Sequence, residues 1–151
     1  MANKSGNATI LVMDPNPVSL TALAGVLDSK GYTCFCARSS EAATKAVQDS
    51  SIDLIIWDVA DDAAATLDAI RQMRAGMTDQ LSDVPFVLLA DVQWSGLETR
   101  LDGISPARCL FKPLDPNALI DIVEQTLWVP HIVRGHHFPK SSTDQNGWVS
   151  L

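Results

Sequence analysis

Three charged residues each terminate a short apolar run. Asp14 follows Thr9–Met13, Asp58 follows Leu54–Trp57, and Lys112 follows Arg108–Phe111. Two carboxylates held close together repel, and that repulsion draws in a hard divalent cation with oxygen ligands. A lysine ammonium opposite them holds an anion such as a phosphoryl group. These are the parts for phosphoryl transfer to a carboxylate, where positioning and charge neutralisation supply most of the catalysis. The chemistry works only if the three residues meet.

For them to meet, the ends of the apolar runs must lie side by side. Strand-length candidates are Thr9–Met13, Thr33–Cys36, Leu54–Trp57, Phe86–Ala90 and Arg108–Phe111. Three of them are nearly continuous apolar runs, as strands buried on both faces of a parallel sheet are. Helix-period segments alternate with them: Val18–Ser29, Ser40–Gln48, Ala63–Arg74, Trp94–Leu101 and Pro116–Leu127. In the first, Leu20, Leu23, Ala24 and Leu27 recur at spacings of three and four, and Gly31 closes it. Ser39 or Ser40 caps the second, and Asp115-Pro116 opens the last with an N-cap acceptor followed by Pro at the first helical position. Five strand–helix units in series predict an α/β fold with a doubly wound, five-stranded parallel sheet, because parallel neighbours require crossover connections. Right-handed crossovers leave few topologies, and of these the order 2-1-3-4-5 is expected. Ligand chemistry in such sheets sits outside the carboxyl ends of the strands, where the order reverses. Asp14, Asp58 and Lys112 then converge on one pocket.

Composition narrows the function classes. A chain of 151 residues, 46% apolar, is sized for one domain with its own core. Its net charge of −7 argues against a nucleic-acid binder. There is no apolar run of about 18 residues and no secretory leader, so neither a membrane span nor export is expected. The three cysteines lack metal-site spacing and an even count, which points to a reducing, cytoplasmic setting. Cys34 and Cys36 are expected on opposite faces of their strand, as packing residues. Residues 128–151 carry Arg134, Lys140 and Asp144, a charge of +1, which leaves −8 on residues 1–127. That last stretch lacks an apolar period and holds His131, His136 and His137. It reads as a tail on a folded body of residues 1–127, with its Trp128 and Phe138 expected to pack on the body or on a second copy.

Ile10-Leu11-Val12-Met13-Asp14, Asp53-Leu54-Ile55-Ile56-Trp57-Asp58 and Phe111-Lys112-Pro113 resemble the receiver domain of the response regulators of two-component signalling, over roughly residues 8–127. The resemblance implies a flavodoxin-like receiver fold with Asp58 as phosphoacceptor and Lys112 pairing with it and then with the phosphoryl oxygens. It also implies weak Mg²⁺ binding by Asp14, Asp58 and the backbone carbonyl of Ala60. The implied partners are a histidine kinase or phosphotransfer protein, a downstream protein and a second copy in a homodimer, with no nucleic acid and no membrane.

The departures from that pattern matter as much. Pro15 stands where the family has a second, metal-binding acid, leaving the amide of Asn16 as a weaker substitute. Ala90 stands at the position of the hydroxyl that grips the phosphoryl group, and Cys109 at that of the aromatic switch. Asp61 and Asp62 follow the acceptor and are expected to cap the next helix. Trp57 and Trp94 flank the expected pocket, with Trp57 read as core. The expected function is a stand-alone, atypical receiver that accepts a phosphoryl group on Asp58 inefficiently and acts by protein–protein interaction. It is not expected to be an enzyme, and 24 residues leave no room for an output domain. The alternative is a pseudo-receiver that binds partners without phosphoryl chemistry. A flavin site is disfavoured because Asp14-Pro15-Asn16-Pro17 puts a carboxylate where phosphate needs backbone donors. A haloacid-dehalogenase site fails because neither Asp14 nor Asp58 begins an Asp-x-Asp.

Overall fold

A computed structural model describes residues 8–59, 63–76, 84–91, 96, 104 and 106–135, with 128–135 described by their backbone. Its strands are β1 (Thr9–Met13), β2 (Thr33–Ala37), β3 (Leu54–Asp58), β4 (Phe86–Ala90) and β5 (Ala107–Phe111). Its helices are α1 (Pro17–Asp28), α2 (Ser40–Asp49), α3 (Ala63–Ala75) and α4 (Pro116–Gly135). All strand pairs are parallel, in the order β2-β1-β3-β4-β5. The continuous apolar runs are β1, β3 and β4, the three interior strands. Every residue of β3 and β4 is buried, whereas the edge strands β2 and β5 are partly open. Burial on both faces therefore accounts for the run composition.

The alternation of side chains along each strand sorts the core into two layers. Ile10, Val12, Leu54, Ile56, Val87 and Leu89 pack under α1 and α4. Leu11, Met13, Ile55, Trp57, Phe86 and Leu88 pack under α2 and α3. The ends of the helices follow local chemistry. Asn16 caps α1, with its Oδ1 accepting from the N–H of Val18 and Ser19 at 2.8 and 3.2 Å. The Ser39 hydroxyl accepts from Ala42 N–H at the start of α2. Gly31, at φ 91°, makes the left-handed turn that leads out of α1 and that other residues adopt only under strain. Asp115 Oδ1 accepts from Asn117 N–H where α4 begins.

Two expectations fail. Cys34 and Cys36 share a face, because residues i and i+2 of a strand point the same way. Phe35 is the residue that turns to the other layer. The last helix also continues past Leu127, through Pro130, to Gly135. A proline inside a helix removes one hydrogen bond and reads in sequence as a stop, but the turns on either side carry the helix through it. The expected helix Trp94–Leu101 lies outside the described residues apart from Gly96. Positions 136–151, with His136, His137 and Phe138, lie outside them altogether. Among the described residues no helix is long and apolar enough to cross a membrane.

At the amino ends of the strands, Arg74 ties α3 to the sheet. Its Nη1 donates to Val84 O at 2.6 Å and its Nη2 to Ile104 O at 2.6 Å, with Pro106 O at 3.4 Å. The guanidinium lies 4.7 Å from the centre of the Phe86 ring. These carbonyls lose a charged donor in Arg74→Met, so the substitution should lower the unfolding free energy by about 2–4 kcal/mol. Urea denaturation measures this, and a loss below about 1 kcal/mol would show that the tie contributes little.

Candidate functional site: an acidic cleft at the carboxyl edge of the sheet

Parallel pairing puts the carboxyl ends of all five strands on one edge, and the register then selects which residues meet there. Met13 pairs with Trp57, so Asp14 and Asp58 stand side by side at the ends of β1 and β3. Ladder hydrogen bonds continue just past the strands, from Asp14 N–H to Ala37 O at 3.0 Å and from Lys112 N–H to Ala90 O at 2.8 Å. Both residues are thus held by the sheet rather than by loops. Asp14 and Asp58 share the strand faces of Val12 and Ile56, which places both carboxylates on the α1 and α4 side. They open there into a cleft of about 340 Å³ lined also by Ser19, Leu23, Leu89, Lys112 and Leu119.

Lys112 Nζ donates to Asp58 Oδ1 at 2.6 Å, the short distance of a charge-assisted bond. Asp58 is 8% exposed and Asp14 2%. Asp14 Oδ1 accepts from Asn16 N–H at 2.9 Å, and the Ser19 hydroxyl donates to the same carboxylate. Burial pushes the Asp14 carboxyl above its ordinary range and the charge of Asp58 adds to this, against the Asn16 N–H, Lys112 and Ser19, which favour the carboxylate. For Lys112, burial works against the ammonium, but the hydrogen bond and charge of Asp58, with Asp91 and Asp14, outweigh it and hold the group above its ordinary range. The site is therefore a carboxylate braced by an ammonium beside a second, destabilised carboxylate.

The donor set suits a hard cation in kind but is thin. Asp14 and Asp58 are the carboxylates that would hold Mg²⁺, with water filling the remaining positions. Pro15 supplies no side-chain oxygen. Asn16, expected as a substitute ligand, is not one, because its Oδ1 is committed to the first turn of α1. Among the described residues no group of three His, Cys, Asp or Glu comes together. Ala60, Asp61, Asp62 and Trp94 lie outside the described residues. Trp57, 1% exposed, points into the opposite layer against Phe86 at a ring separation of 6.4 Å, so it is core and not a wall of the cleft. Ala90 and Cys109 belong to that same far layer. Sequence reasoning missed Ser19, whose only signal is its place in the first turn after a strand ending in Asp.

A five-stranded parallel sheet in the order 2-1-3-4-5 with an Asp, Asp and Lys at its carboxyl edge defines a class. By fold, the chain is a response-regulator receiver domain. It superposes on the chemotaxis response regulator CheY4 of Vibrio cholerae with a TM-score of 0.71 at 19% identity, covering 80% of this chain and 98% of that one. A two-component response regulator from Clostridium difficile gives 0.66 at 22%, covering 81% and 97%. The receiver domain of the hybrid histidine kinase CckA gives 0.57 at 25%, covering 80% and 99%. In sequence the chain is similar to the sensor histidine kinase RcsC of Salmonella typhimurium, 30% identical over 131 residues. That alignment takes in 85% of this chain but only 13% of the kinase. No protein-family model matches the chain.

Two consequences of the geometry are measurable. An Asp14 carboxyl titrating above its ordinary 3.8 in the folded state makes no demand on stability below that pH and costs stability increasingly as pH rises through the folded value. Asp14→Asn keeps the acceptor for Asn16 N–H and removes the charge, so its melting temperature should exceed the wild type's at pH 7 and fall level with it near pH 3.5. An equal difference at both pH values would contradict this. With Pro15 in place of an acid, Mg²⁺ should not saturate the site below millimolar concentration. Pro15→Asp should tighten binding by at least about tenfold, the worth of one charged ligand; calorimetric titration gives both constants.

Proposed function

We propose that this chain is an atypical receiver that takes a phosphoryl group on Asp58 in a two-component phosphorelay and acts by binding another protein. The observation that carries the reading is the 2.6 Å contact between Lys112 Nζ and Asp58 Oδ1 at the mouth of a cleft. Oδ2 of Asp58 is the attacking atom. It forms a new O–P bond as the donor's P–N or P–O bond breaks, and the leaving group departs with the electron pair and takes a proton from water. Lys112 neutralises charge throughout, first on the carboxylate and then on the phosphoryl oxygens. Mg²⁺, when held by Asp14 and Asp58, would screen the same oxygens.

The donor in this reading is a phosphohistidine on a kinase or phosphotransfer protein. Support comes from the surface beside the cleft. Over its first three turns α1 exposes Pro17, Val18, Thr21, Ala22 and Gly25, all uncharged, and Val18 is 77% exposed. The exposed positions of α2, α3 and α4 include Glu41, Lys45, Asp68, Asp121 and Glu124. A protein donor can therefore approach α1 without desolvating charge. The free thiols of Cys34, Cys36 and Cys109 suit a cytoplasmic setting. A stand-alone role, with output through a bound partner, follows the same reading.

A second reading, a pseudo-receiver without phosphoryl chemistry, is favoured by Pro15, Ala90 and Cys109. Incubating the full chain with Mg²⁺ and phosphoramidate, then measuring intact mass, separates the two. The expected result is the gain of one phosphoryl group, absent in Asp58→Asn and reduced at least about tenfold in Lys112→Ala, which loses a charged donor. No gain in the wild type would leave the second reading standing.

A further inference from the structure

We propose that Ser19 supplies, from helix α1, the hydroxyl that holds a phosphoryl oxygen at Asp58. This rests on the phosphoacceptor reading above and assigns a role to a residue outside the Asp14, Asp58 and Lys112 set. A phosphoryl group on Asp58 adds negative charge in a site that already holds Asp14, so each of its oxygens needs a donor. Lys112 is one. The end of β4 offers no side-chain donor, because Ala90 is a methyl group buried in the layer under α2 and α3. The first turn of α1 offers no free backbone donor at Val18 or Ser19, since both N–H groups are committed to Asn16 Oδ1.

What remains on that side is the Ser19 side chain. Among the described residues lining the cleft, Ser19 is the one that carries a hydroxyl. Its position is fixed by its own N–H bond to Asn16 at 3.2 Å. Its hydroxyl already points at the acidic pair, donating to Asp14, the cross-strand neighbour of Asp58. A hydroxyl turns about one bond, so transfer of its hydrogen bond from Asp14 to a phosphoryl oxygen requires no backbone movement. Asp14, whose carboxyl is buried, then gives up a donor to the more strongly charged neighbour.

The test compares the full-length wild type, Ser19→Ala, Ser19→Thr and the double variant Ser19→Ala with Ala90→Thr, each incubated with phosphoramidate and Mg²⁺ and followed by intact mass. Ser19→Ala should lower the phosphorylated fraction at steady state by at least about tenfold, the effect of losing a donor to a charged group. Ser19→Thr should keep most of it. The double variant should recover it, because a hydroxyl at the end of β4 reaches the same phosphoryl group, whereas it would not repair a purely structural loss at Asp14. Equal labelling of the wild type and Ser19→Ala overturns the proposal and leaves the acceptor reading intact. Failure of the double variant to recover would reduce Ser19 to a brace for Asp14 and also overturns it. A wild type that takes no label defeats the acceptor reading and this proposal together.

Discussion

The parallel register between β1 and β3 is the constraint on which the rest of this molecule depends. Pairing Met13 with Trp57 leaves Asp14 and Asp58 as adjacent strand-end residues on one face. Two carboxylates so placed in a buried position repel, and the fold answers that repulsion locally. Lys112 reaches Asp58 from the end of β5, and Asp14 is tied to Asn16 N–H and to Ser19. A buried ion pair of this kind adds little net stability over an apolar replacement. Its value lies in the unevenness it creates. One carboxylate is matched by an ammonium and the other is held at a cost, so the cleft is poised to accept compensating charge.

The same geometry divides labour between the two layers of the core. The layer under α2 and α3 holds Trp57, Phe86, Ala90 and Cys109, tied at its far end by Arg74, and nothing in it is polar near the acidic pair. The layer under α1 and α4 meets the cleft. Chemistry at Asp58 is therefore coupled to α1 and to the β5–α4 connection more directly than to α3. A receiver whose relay positions are Ala90 and Cys109 has no polar or aromatic side chain there to respond to charge on Asp58. Any response to that charge has to run through Lys112, Ser19 and the first turn of α1, since a ligand shifts an equilibrium only through contacts that differ between two states.

Much of this was legible in the sequence because parallel sheets write their topology into composition. Interior strands buried on both faces must be apolar throughout, and β1, β3 and β4 are. The strand–helix alternation and the helix signals at Asp115-Pro116 and Gly31 are local effects that need no knowledge of the whole. Once the order of strands is granted, so is the meeting of Asp14, Asp58 and Lys112, because strand ends are where parallel sheets leave side chains free. What misled was also local. Cys34 and Cys36 were assigned to opposite faces against the two-residue period of a strand, and Pro130 looked like a stop that the helical backbone runs through.

Tertiary structure alone decided matters that depend on which atoms remain free after folding. Asn16 reads as a carbonyl donor for a cation until the first turn of α1 claims its oxygen. Trp57 is one residue from the acceptor in sequence yet lies in the opposite layer, because successive strand residues point to opposite faces. Ser19 carries no signal of its own in the sequence, and only the packing of α1 against the sheet brings its hydroxyl to Asp14. Element order, core and acidic constellation follow from periodicity and residue type, which are properties of short segments. Donor supply within the cleft follows from competition among groups distant in the chain, and that competition exists only in the folded molecule.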